Sequence, residues 1–136
     1  MTVDQFMTRE VETLTEEGTL REAIVLFQKH RIRHLPIVRG RSIVGIVTDR
    51  DLKRASPSLL SGVSQPEFDR VLNETRLAQV MTRNPFTVTP STRLKDAVKI
   101  LLDNKYSCLP VVEGDKLVGI ITETDLLRAF HGMLED

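Results

Sequence analysis

The chain has 136 residues, of which 40% are hydrophobic and 28% charged, with 19 Lys plus Arg against 19 Asp plus Glu. That is ordinary globular composition, and a net charge of zero lacks the basic excess of a general nucleic-acid or anionic-membrane binder. No stretch approaches the roughly 18 apolar residues a membrane span needs, and the single cysteine, Cys108, excludes an internal disulfide or a multi-cysteine metal site.

The N-terminus carries Asp4, Arg9 and Glu10 and no apolar run, so no signal peptide is read there and a cytoplasmic protein is expected. The chain also matches itself. Sliding it so that Met7 meets Met81 lays residues 7–54 on residues 81–128 without a gap. Met7-Thr8-Arg9 returns as Met81-Thr82-Arg83, and Leu35, Pro36 and Val38 return as Leu109, Pro110 and Val112. The clearest block is VGIVTDRDLKR at 44–54 against VGIITETDLLR at 118–128.

In chain order, each unit opens with a short extended segment, around Val11–Thr15 and again at 85–89. An amphipathic helix follows, with Leu20, Ala23, Ile24 and Phe27 at the spacing that lines one face, repeated by Leu94, Ala97, Val98 and Leu101. Thr19 and Glu22 make a capping box at its start. Strands are predicted at His34–Val38 and Cys108–Val112, with turns at Gly40-Arg41 and Gly114-Asp115. Further strands at Ile43–Val47 and Leu117–Ile121 are apolar throughout, as when both faces are covered. Helices start at Asp49 and Glu123. The order per unit is β-α-β-β-α. Neither unit buries enough apolar surface alone, so the expected fold is α/β (α+β), two repeats packed sheet to sheet with pseudo-twofold symmetry. The expected boundaries are 1–56 for the first repeat, 57–79 for a connector and 80–136 for the second. The first half of the stretch from residue 55 reads as loop, and Phe68, Val71 and Leu72 predict about three helical turns starting near Pro66.

The repeated G-h-h-T-x-x-D, with h apolar, carries the chemistry. It stands at Gly45–Asp51 and at Gly119–Asp125. Thr48 and Thr122 sit where a strand becomes a helix, and Asp51 and Asp125 lie one turn on. A hydroxyl and a carboxylate therefore meet at the carboxyl end of a strand, where ligands of open α/β sheets bind. A carboxylate suits a ribose diol, helix-start amides suit a phosphate, and the glycine leaves room for a flat base. The same T-x-x-D spacing is also a capping box, and the two readings can coexist.

Together, the L-P-h-V strand, the glycine-bearing apolar strand and the T-x-x-D helix start resemble a pair of CBS domains, a Bateman module, over about residues 5–132. RIRHLPIV, GIVTDRDLKRASPS and GIITETDLLRAF are similar to the CBS portion of acetoin-utilisation type proteins. The resemblance implies a regulatory, non-enzymatic module that senses AMP, ADP, ATP or S-adenosylmethionine in clefts between the repeats. It needs no cofactor, with an adenine nucleotide as regulatory ligand. Asp51 and Asp125 would hold the ribose, and Thr48 and Thr122 ribose or phosphate. Arg33 and His34, or Ser107 and Cys108, would lie beside base and phosphates. Thr8 and Thr13, or Thr82 and Thr87, would border the cleft. A homodimer is implied, and a protein partner is left open. Arg33, His34 and Arg50 become Ser107, Cys108 and Thr124 in the second copy, so unequal clefts are expected, because only arginine binds phosphate bidentately. The alternative is a dimerisation or docking module for an enzyme or transporter, with empty clefts.

Other constellations point to less. His30 and His34 are four apart but lack the further ligands zinc requires, and His30 suits a helix C-terminus. His131 reads as surface. Cys108 reads as a small buried residue, without a His–carboxylate partner set. Arg31, Arg33, Arg39 and Arg41 have no interleaved aromatics and read as a solvated edge.

Overall fold

The computed structural model describes residues 1–58 and 62–135, and the mixed α/β class expected from the sequence is present. Part of the predicted connector loop, residues 59–61, lies outside the described residues. Among those described, the order is α1 (Leu20–His30), β1 (His34–Arg39), β2 (Ser42–Thr48), α2 (Asp49–Ala55), α3 (Gln65–Glu74), β3 (Thr82–Arg83), α4 (Leu94–Asn104), β4 (Cys108–Glu113), β5 (Lys116–Thr122) and α5 (Glu123–Met133). Short 3-10 turns at Val3–Gln5 and Leu77–Gln79 precede the two Met-Thr-Arg motifs.

The chain forms two compact units, which do not follow the sequence repeats from end to end. One comprises Met1–Val11, Arg41–Ile43 and Pro85–Asp136 and is called the Asp125 unit below; the other comprises Glu12–Gly40 and Val44–Asn84 and is called the Asp51 unit. Each unit thus takes the Met-Thr-Arg motif that precedes the other repeat.

In the Asp51 unit, the stripe on α1 packs Leu20, Ala23 and Phe27 against Leu35 and Ile37 of β1 and Val47 of β2. Leu72 of α3 and Leu77 and Met81 complete this core. The connector helix is real: Ser64 Oγ caps it by accepting from Glu67 N at 3.3 Å, and Pro66 sits in its first turn. α1 ends as Arg31 turns left-handed at φ 53°. His30, its last residue, lies 3.5 Å from Glu12 Oε1, so a carboxylate rather than the helix carbonyls is its partner.

In the Asp125 unit, Val3 and Met7 join Val88, Leu94, Ala97, Leu101, Leu109, Val111 and Ile121 in a second core. β4 and β5 run antiparallel, Cys108 opposite Thr122 and Leu109 opposite Ile121, with an irregularity between Val111 and Val112. Ser42, at the start of β2, pairs with Lys116. The predicted extended segments are shorter than expected. Each makes one parallel bridge, Leu14 to Ile37 and Val88 to Val111.

Candidate functional site

The helix starts at Thr48 and Thr122 are built alike. In α2, Thr48 Oγ1 accepts from Asp51 N at 3.2 Å, and Thr48 N donates to Asp51 Oδ2 at 2.9 Å. In α5, Asp125 N donates to Thr122 Oγ1 at 3.2 Å, while Thr122 N and Oγ1 donate to Asp125 Oδ2 at 2.9 and 3.1 Å. Both are full capping boxes. Each box spends one carboxylate oxygen and leaves the other for a different partner.

At Asp125 that partner is Thr8, whose Oγ1 donates to Oδ1 at 3.0 Å across 117 residues of chain. The Arg128 guanidinium stands 4.0 Å from the same oxygen. Asp125 is only 6% exposed, and among the described residues it is the one charged side chain that is buried. At Asp51, the residue equivalent to Thr8 is Thr82, in the same unit.

What brings each threonine to its position is a backbone approach over a glycine. Thr8 N donates to Ile120 O at 2.8 Å and Ile120 N to Thr8 O at 2.9 Å. A Cβ on Gly119 would stand 2.8 Å from Thr8 O and 3.1 Å from Met7 Sδ. β3 lies on β2 in the same way, Ile46 opposite Thr82, and a Cβ on Gly45 would stand 2.5 Å from Met81 Sδ. The glycines therefore do not leave space for a flat base, as the sequence suggested; the Met-Thr segments fill it.

The remaining predicted residues fall around these two centres. Asp49 N donates to Arg33 O and Glu123 N to Ser107 O, both at 3.0 Å, which ties the entry of β1 and β4 to the start of the helix. His34 and Cys108 open those strands, and Arg33 and Arg50 are exposed. Thr13 and Thr87 are half-buried on the segments that make the parallel bridges. The Asp51 unit holds Thr13, Arg33, His34, Thr48, Arg50, Asp51 and Thr82, whereas the Asp125 unit holds Thr8, Thr87, Ser107, Cys108, Thr122 and Asp125. Burial, then the charge of Glu123, pushes the Cys108 thiol up to about 12, so at neutral pH it is protonated and no nucleophile.

Two features were not read from the sequence. A groove of about 630 Å³ in the Asp125 unit is lined by Phe6, Met7, Thr8, Asp125, Arg128 and Met133, among others. The other is the pairing of Thr8 with Asp125, to which no local pattern points. Among the described residues, no cluster of three or more His, Cys, Asp or Glu could hold a metal ion, and no helix is long and apolar enough to cross a membrane.

Residues 3–58 and 77–132 each match the sequence model of the CBS domain. The chloroplastic CBS domain-containing protein CBSX1 of Arabidopsis thaliana is 36% identical over 149 residues, covering 94% of this chain. This chain spans 63% of that protein's length. Among solved structures, AcuB of Vibrio cholerae, assigned to acetoin utilization, superposes with a TM-score of 0.80 at 36% identity, covering 98% of this chain and 92% of its own. CBSX2, solved in complex with AMP, superposes at 0.81 and 29% identity, with 97% of each chain covered. The CBS pair of protein MJ0100, solved with methylthioadenosine and S-adenosylmethionine, does so at 0.81 and 27%, with 98% of each covered.

Proposed function

This chain belongs to the CBS-domain family as a tandem pair, and from that premise we propose that it is a cytoplasmic, non-enzymatic regulatory module that binds an adenosine-containing ligand at Asp51 and Asp125. The observation that carries this reading is the divided carboxylate. One oxygen of each aspartate is tied to its helix cap, and at Asp125 the other accepts from a hydroxyl on the segment that leads the far repeat. In the Asp125 unit that hydroxyl is Thr8. A ribose diol donates to a carboxylate oxygen as Thr8 does, so the sugar would take up the hydrogen bond that Thr8 Oγ1 makes to Oδ1. Solved relatives with AMP and with S-adenosylmethionine support the adenosyl class.

The two sites are unequal in charge. Arg33 and Arg50 stand in the Asp51 unit, where the Asp125 unit has Ser107 and Thr124. A triphosphate would favour the first site; the second would take ligands with fewer phosphates. A ligand shifts a conformational equilibrium only by its differential affinity for the two states. Regulation therefore requires that nucleotide bind one arrangement of the chain more tightly than another.

The test is a thermal-shift panel with AMP, ADP, ATP and S-adenosylmethionine on the wild type, Asp51→Ala and Asp125→Ala. A ligand at 100 times its Kd adds about 2.7 kcal/mol, several degrees for a protein of this size. The expected result is a shift lost ligand by ligand in one or the other variant. A wild-type melting point that no compound moves would reject the reading. A second reading, a docking or dimerisation module, is favoured by α5, where Leu127 and Phe130 are 67% and 57% exposed. We include a homodimer through that face in the proposal.

A further inference from the structure

We propose that the cations around α2 form a docking surface for an acidic segment of a partner protein. Such a surface would work with or without a bound nucleotide. Among the described residues, which include every arginine, six arginines lie within 4.0 Å of a carboxylate and two donate to backbone carbonyls. Of the five that remain, four stand in the Asp51 unit. Arg31 and Arg33 lie in the turn before β1, and Arg50 and Arg54 lie on α2, with Lys53 between them. All of these cations, Lys53 included, are exposed, and among the described residues none pairs with a carboxylate.

The fold gathers them. Leu52 is buried, which turns Arg50, Lys53 and Arg54, at i, i+3 and i+4, to the outer side of α2. Asp49 N donates to Arg33 O at 3.0 Å, so the turn bearing Arg31 and Arg33 meets the start of that helix. The two acids there face backbone amides rather than guanidinium groups: Asp49 Oδ1 accepts from Arg50 N, and Asp51 Oδ2 from Thr48 N. Arg39, close to Arg31 and Arg33 in the sequence, pairs with Glu16 instead. On α5, Thr124 and Leu127 replace Arg50 and Lys53, and Arg128, the counterpart of Arg54, stands 4.0 Å from Asp125. A chain of zero net charge thus concentrates unpaired cations on one helix, which suits a partner by charge complementarity. Guanidinium groups bind carboxylates bidentately. The bases of a nucleic acid would need aromatic faces to stack on, and the Asp51 unit has only Phe27, in its core, and Phe68, half-buried against it. An acidic protein segment is therefore the occupant that fits.

Fluorescence anisotropy of a labelled oligoglutamate reads this binding, with an oligouridylate of equal charge for comparison. The wild type should bind oligoglutamate at low salt, more tightly than oligouridylate, and release it as salt screens the contact. Lys53→Glu with Arg54→Glu should weaken binding about tenfold. Lys95→Glu with Lys116→Glu, the same change of charge at exposed positions of the Asp125 unit, should stay within about twofold of the wild type. Lys53→Gln with Arg54→Gln, which removes charge without adding repulsion, should weaken binding about threefold. Arg33, Arg50 and Asp51 are intact in every variant, so nucleotide-induced thermal shifts report separately on the nucleotide reading. Equal losses for the two charge-reversed pairs would overturn the surface, as would a wild type that binds no oligoglutamate. Tighter binding of oligouridylate would overturn the acidic protein partner and assign these cations to a nucleic acid.

Discussion

Gly119 is a residue whose missing side chain does structural work. Its would-be Cβ meets a backbone oxygen, Thr8 O, at 2.8 Å, and backbone held in a bridge to Ile120 cannot move aside. At Gly45 the nearest atom is Met81 Sδ, the far end of a flexible side chain, although Thr82 O follows at 3.0 Å. Gly119→Ala should therefore destabilise the protein by about 1–3 kcal/mol, and Gly45→Ala by less. Equilibrium denaturation compares the two, and a loss under about 0.5 kcal/mol at Gly119, the scale of a neutral surface change, would refute the close-approach argument. The glycine was visible in both repeats, and so was its place three residues before Thr. What it makes room for was not, because the occupant comes from a segment distant in the chain, Met7-Thr8 at Gly119 and Met81-Thr82 at Gly45.

Elements were legible to the degree that their signals are local. α1 and α4 follow from the apolar stripe, α2 and α5 from their capping boxes, and α3 from Phe68, Val71 and Leu72 behind Pro66. The opening extended segments were overread, because a single parallel bridge each needs a neighbour in β1 or β4 that periodicity cannot supply. α5 is the element with the most to gain from a partner. Leu127 and Phe130 are three apart, so both lie on one face, and Met133 and Leu134 beyond them are also about half or more exposed. Leu127→Glu with Phe130→Glu should convert a dimer to a monomer in sedimentation velocity and leave the far-ultraviolet circular dichroism unchanged. A wild type that already sediments as a monomer, or a dimer indifferent to both charges, would sink the proposed interface.

At the scale of the whole molecule, the exchange of leading segments sets which parts of the chain are stable together. Val3 is fully buried and Met7 is 9% exposed, both in the core of the Asp125 unit. Val3 N also donates to Thr92 O and Leu94 N to Met1 O, both at 2.9 Å. Truncating Val3 to Ala should loosen residues 85–135 first, at a cost of about 1–3 kcal/mol. Native-state hydrogen exchange should show protection falling in α4, β4 and β5 while α1 and β1 keep theirs. Equal losses in both units would show that the first eleven residues do not belong to one core.

By itself, the sequence determined the repeat, the α/β class, the family resemblance and the two T-x-x-D helix starts. The repeat is read by laying residues 7–54 on 81–128, and the others rest on short motifs and spacings within each copy, where spacing is enough to predict local structure. Only the tertiary structure decided that Thr8 meets Asp125, what lies over Gly45 and Gly119, and that the chain divides otherwise than its repeats. Those outcomes depend on which apolar segment, Val3–Met7 or Leu77–Met81, fills which core. Two repeats with the same apolar spacing present the same pattern to both segments. The choice is made by packing, and a linear pattern does not encode it.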